Sequence, residues 1–156
     1  MDIKIKEIPQ EIILKGLDKV IDILIKKYDD LGLRASGQWA NNLEGIIQDG
    51  KGVILGLDYT EQLVNGRPPG KHPKIKPLIQ WVEDKLGITG ELGISTAFAV
   101  ASKIAQEGTE IYKQGGTDLL EVLDEPETMA AFMSAITEYM AEEIRNTILN
   151  EFKTLE

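Results

Sequence analysis

Few residue types in this chain can carry out chemistry, and their spacing limits what they can do. Histidine occurs once, at His72, and cysteine does not occur. A lone imidazole cannot assemble a histidine metal cluster, and nothing near it completes a serine, histidine and aspartate set. The lack of thiols excludes disulfides, thiolate metal sites and thiol nucleophiles. Gly50-Lys51-Gly52 has the glycines and lysine of a phosphate cradle but not the longer pattern ending in Ser or Thr, so it is read as a tight turn. Asp118, Glu121, Asp124, Glu125 and Glu127 lack the glycine and alternating oxygen ligands of a calcium loop. Glu125 and Glu127 instead suit the positive end of a following helix, at a few tenths to about 1 kcal/mol each. No catalytic residue, metal ligand or cofactor is therefore expected.

The remaining signal is charge. Arg67, Lys71, His72, Lys74 and Lys76 place four permanent positive charges within ten residues of a chain whose net charge is -9. Prolines stiffen that display, because Asn65 to Pro77 contains four of them and two glycines. Two readings are open: a solvated turn, or a contact surface whose charge meets an acidic neighbour and sets register. An overall pI near 4.7 disfavours phosphate backbones and anionic membranes over most of the surface, so direct nucleic-acid binding is not expected.

Such residues need a scaffold, and the composition allows one. Hydrophobic residues make up 42% and charged residues 28% of 156 positions, a balance for one ordinary soluble domain spanning 1–156. The start, Met1 to Lys6, threads charges through apolar positions and does not read as a signal peptide. The most apolar windows, Val20 to Ile25 and Ala97 to Ala105, are interrupted by polar residues and fall short of a membrane span.

Apolar spacing predicts a helix from Pro9 to Leu31, with Ile13, Leu17, Val20, Ile21, Leu24 and Tyr28 on one face and Gly32 as its stop. A hairpin is expected between Gln38 and Leu57, with Gly50 and Gly52 flanking its turn before Val53, Ile54, Leu55 and Leu57. A second helix is expected after Pro77, carrying Leu78, Ile79, Val82 and Leu86 and ending at Gly87, with Trp81 assigned to the core. Trp39 is assigned either to the core or to an interface anchor. A third helix, Ile94 to Gln106, carries Phe98, Ala101, Ile104 and Ala105. The longest, Pro126 to Phe152, has a seam of Met129, Phe132, Met133, Ile136, Met140, Ile144, Ile148 and Phe152. Burying that seam is worth on the order of 10 kcal/mol before entropy is subtracted, so it is expected to be covered. The pattern predicts an α+β fold, with long N- and C-terminal amphipathic helices packed on a small antiparallel sheet.

The order of motifs in the middle of the chain resembles one family. Tyr59-Thr60 is followed by a short segment to Gly66, a proline-bearing loop, and then Trp81, Val82, Lys85, Leu86, Gly87 and Ile88. Downstream come Ala101, Ile104, Gly108 and Thr109, and upstream Ala35-Ser36-Gly37. This is similar to the tail-completion proteins at the neck of long-tailed bacteriophages, over about Ala35 to Thr109. In that family a pair like Tyr59-Thr60 ends a strand and a short helix leads to the glycine. Asn65-Gly66-Arg67 departs from the acidic residue and Gly-Thr pair often found there.

The resemblance implies an α+β virion protein without catalytic activity, assembled in the host cytoplasm. It further implies self-association into a ring, with head-side connector or adaptor proteins on one side and tail-tube or tail-terminator proteins on the other. The competing expectation, from a different class, is a small cellular α+β adaptor whose exposed helix seam binds one partner protein.

Overall fold

A computed structural model describes residues 7–153, so Met1 to Lys6 lie outside the described residues. The fold is α+β and mostly helical. Helix α1 is Gln10–Asp30, followed by α2 Gln38–Asn41, strands β1 Glu44–Gln48 and β2 Lys51–Leu55, and α3 Thr60–Asn65. Then come α4 Ile75–Leu86, α5 Gly90–Glu107, α6 Glu110–Lys113, a 3-10 turn at Glu121–Asp124, and α7 Pro126–Lys153. No helix among the described residues is long and apolar enough to cross a membrane.

Contacts group the described residues into two compact units. The first comprises 7–24, Glu44–Leu55 and 122–153. Here α1 buries Leu17, Val20, Ile21 and Leu24, the face its 3.6-residue periodicity predicts. The hairpin turns through Asp49 and Gly50, both left-handed (φ 51 and 73), the backbone that matches the twist of paired strands. Gly52 is therefore not part of the turn as expected. It pairs with Ile47 inside β2, while Gly45 pairs with Ile54. Both glycines have a packing reason: a Cβ on Gly45 or Gly52 would lie 2.9 or 3.2 Å from the Leu17 side chain. Their bare backbone admits α1 onto the sheet. Strand β2 also ends at Leu55, short of Leu57.

Helix α7 approaches α1 at Gly16, where a Cβ would come within 2.8 Å of the Phe132 ring. Lys19 Nζ donates to Ser134 Oγ at 2.7 Å and lies 3.6 Å from Glu138. The expected cover over the α7 seam is partial. Ile136 is buried and Phe132 and Met140 are half-buried, but Met129, Met133, Ile144, Ile148 and Phe152 are exposed.

The second unit comprises Ile25–Leu43 and Gly56–Glu121. Its core holds Tyr28, Trp39, Ala40, Val82, Ala97, Ala101 and Leu119. Trp39 is only 1% exposed, and its ring lies 4.7 Å from that of Tyr28, which resolves it as a core residue. The indole N–H donates to Thr60 Oγ1 at 2.8 Å, and that hydroxyl donates to the Leu57 carbonyl at 2.6 Å. Thr60 thus opens α3 and satisfies a buried indole, rather than ending a strand.

Helix α4 starts at Ile75, earlier than expected, because Pro77 falls in the first turn, where backbone N–H groups have no helical partner. Trp81 is 38% exposed, not core; Val82 beside it is the buried residue. Lys85 Nζ donates to the carbonyls of Gly32 at 2.6 Å and Arg34 at 2.9 Å, capping the chain where α1 ends. Helix α5 likewise starts earlier, at Gly90, and packs on α4 with Gly93, Ala97 and Ala101 buried. Phe98 on the same helix is 54% exposed.

Candidate functional site

The cationic segment is held at its base by a clamp between remote parts of the second unit. Gly66 follows α3 with φ 71 and ψ -171, a region open in practice to glycine alone. A Cβ there would also collide with the Tyr112 backbone nitrogen and with Thr109 Oγ1. The next residue makes a reciprocal pair: Arg67 N–H donates to Thr109 Oγ1 at 2.9 Å, and Thr109 N–H donates to the Arg67 carbonyl at 2.9 Å. Thr109 Oγ1 also accepts from Tyr112 N–H, capping α6. Beyond Pro68 and Pro69, Gly70 N–H donates to the Ala105 carbonyl at 2.9 Å. Thr117 fastens the preceding helix α3, its N–H to Val64 and its hydroxyl to Leu63. The loop is therefore irregular in dihedral pattern and fixed in position.

The five expected residues do not form one cluster. Arg67 is half-buried, and its Nη2 donates to the Lys71 carbonyl at 3.1 Å, folding the segment back on itself. Arg67 and Lys71 share an open cleft of about 340 Å³ with Glu61, Gln62, Gly66, Pro68 and Pro69. His72, Lys74 and Lys76 are exposed and do not line it. Lys74 and Lys76 stand instead at the start of α4, whose first turn has no acidic residue. Cations there oppose the helix dipole, at about 0.3 to 1 kcal/mol each. Among the described residues no ion pair joins a carboxylate to Arg67, Lys71, His72, Lys74 or Lys76. Among the described residues, their one side-chain hydrogen bond within the fold is that from Arg67 to the Lys71 carbonyl.

Elsewhere in this unit three cations, Lys27, Arg34 and Lys113, do form ion pairs. Lys113 lies 2.6 Å from Glu107, and its hydrogen bond holds that carboxyl below the ordinary carboxylate value. Asp29 is lowered in the same way by its hydrogen bond from Arg34. Asp118 is lowered by Lys27 Nζ at 2.6 Å. Chemically, the candidate site offers a display of cations that have no ion-pair partner among the described residues. Sequence reasoning missed Thr109 as the anchor and Glu61 as the acidic wall of the cleft. The only local signal for Thr109 was the Gly-Thr step after a helix.

Comparison with family models, with curated proteins and with solved structures yields no match.

Proposed function

We propose that this chain is a non-enzymatic structural protein of a tailed-phage virion. Copies assemble as a ring in the neck, completing the tail end and joining it to the head. The partners are a second copy of itself, head-side connector proteins, and tail-tube or terminator proteins. The observation that carries this reading is the clamped cationic loop. Among the described residues Arg67, Lys71, Lys74 and Lys76 stand without carboxylate partners, in a chain of net charge -9, two of them where they disfavour their own helix. Heterologous ring contacts need two different, complementary faces on each subunit, and a basic loop against an acidic body supplies them. The neck as the location is supported by the resemblance of the motif order, over about Ala35 to Thr109, to the tail-completion proteins.

Reversing all four charges to glutamate tests it. Incorporation into particles is expected to be lost while the isolated subunit keeps its helical circular dichroism. Normal incorporation of the reversed variant contradicts the role of the loop.

One observation favours the cellular adaptor instead. Along α7, Met129 is 59% and Met133 43% exposed, and Ile144 and Ile148 follow at 42% and 37%. A methionine-rich helix face of this kind suits adaptable binding of a partner protein. Neighbouring genes separate the two readings: portal, capsid and tail-tube genes favour the neck, and a metabolic operon favours the adaptor.

A further inference from the structure

The hairpin carries a surface that the neck reading does not use. A two-residue turn is closed by a hydrogen-bonded pair, here Gln48 and Lys51. In an antiparallel ladder such pairs alternate with pairs whose N–H and C=O groups point away from the partner strand. Ile46 with Val53 and Glu44 with Leu55 therefore bond within the hairpin, whereas Gly45, Ile47, Gly52 and Ile54 direct their backbone groups outwards. Among the described residues the sheet has two strands, and no turn, loop or cap hydrogen bond reaches those outward groups.

Of the two edges, β2 is the barer, with Lys51, Gly52 and Leu55 exposed. From Gly52 to Leu57 the chain reads Gly-Val-Ile-Leu-Gly-Leu, without a charge or a proline, between Lys51 and Asp58. Edges not meant to pair are ordinarily blunted by proline, a bulge or a charge within the strand. Past Lys51, this one has none of these.

We propose that β2 pairs antiparallel with β2 of a second copy of this chain, about a two-fold axis at Val53, to make one continuous sheet. The register of the edge itself argues for this occupant. With Val53 on the axis, Gly52 stands opposite Ile54 of the second copy, so outward groups meet outward groups and each such pair exchanges both N–H···O=C bonds. Lys51 stands opposite Leu55 of the second copy, so no like charges are opposed. Gly52 and Ile54 remain on the Leu17 side in both copies, and Val53 meets Val53 on the other side.

Sedimentation of the full free chain over a concentration series reads the outcome. A reversible monomer–dimer equilibrium is expected. Leu55→Glu sets a carboxylate against Lys51 of the second copy and tightens it, and Leu55→Lys loosens it, so that the two dissociation constants differ by about tenfold. Within one hairpin the same substitutions act in reverse, because Leu55 is paired with Glu44. Thermal unfolding of each variant therefore separates assembly from fold stability. Ile54→Pro deletes an outward N–H without touching the ladder bonds of Val53 and Leu55, and abolishes the dimer. A chain that is monomeric at every concentration overturns the proposal, as does equal association of Leu55→Glu and Leu55→Lys. Particles play no part in this test, so its result is independent of the neck reading.

Discussion

The loop from Gly66 to Lys74 and helix α7 reach order by opposite routes. The loop has no periodic pattern and no internal helical bonds, yet Thr109 and Ala105 hold its backbone from remote positions. Helix α7 satisfies its own backbone over 28 residues, while much of its apolar seam faces outward. Local regularity and tertiary cover are thus separable. The loop depends on a few atoms placed by distant elements, and α7 depends on a short buried stretch near Ile136.

The largest expected effect strikes the loop. Gly66→Ala adds a methyl group where the φ is unsuitable and the Tyr112 backbone nitrogen already stands. It should cost about 3 kcal/mol or more in urea unfolding. Next comes a contrast within one helix. Ile136→Ala removes a buried side chain and should cost about 2 to 4 kcal/mol, whereas Met133→Ala should stay within about 0.5 kcal/mol. Equal costs at the two positions would mean that the exposed seam is covered in solution. Thr109→Ala removes one acceptor shared by Arg67 and Tyr112, at about 1 to 2 kcal/mol.

The smallest effect is on pH dependence. The hydrogen bond from Lys27 holds the Asp118 carboxyl below its ordinary value of 3.8, with burial opposing. A depressed folded pKa contributes stability above 3.8, and that contribution fades as the pH falls through the folded value. Asp118→Asn should therefore flatten the acid limb of stability in urea unfolding and leave its slope near neutral pH unchanged. An unaltered acid limb would show that the Lys27 pair does not persist in solution.

Long-range order was harder to read from residues than local order, and particular positions show why. Pro9 through Gly32 marked α1 because its buried face repeats over several turns, and Pro126 marked the start of α7 in the same way. Helices α2, α3 and α6 are too short to display a period, so spacing left them undefined. Helix α5 begins four residues before Ile94 because Gly90 and Gly93 interrupt the apolar pattern, although both lie inside the helix. Gly52 looked like a turn residue because its reason for being glycine, the approach of Leu17, lies 35 positions away in sequence. Trp81 was placed inside because its neighbours on the helix are apolar; which face of α4 turns inward depended on α5, and Val82 is the buried residue. At the candidate site the cations were legible as composition. Their clamp was not, since it joins the Arg67 backbone to the Thr109 hydroxyl and N–H, 42 positions away in sequence.

Cryo-electron microscopy of purified particles tests the central claim most directly, with the chain located by side-chain density for Trp39, Trp81 and helix α7. The account predicts a ring of copies between portal and tail tube, with Arg67, Lys71, Lys74 and Lys76 against carboxylates of a neighbouring subunit. Particles that lack the chain altogether would contradict it.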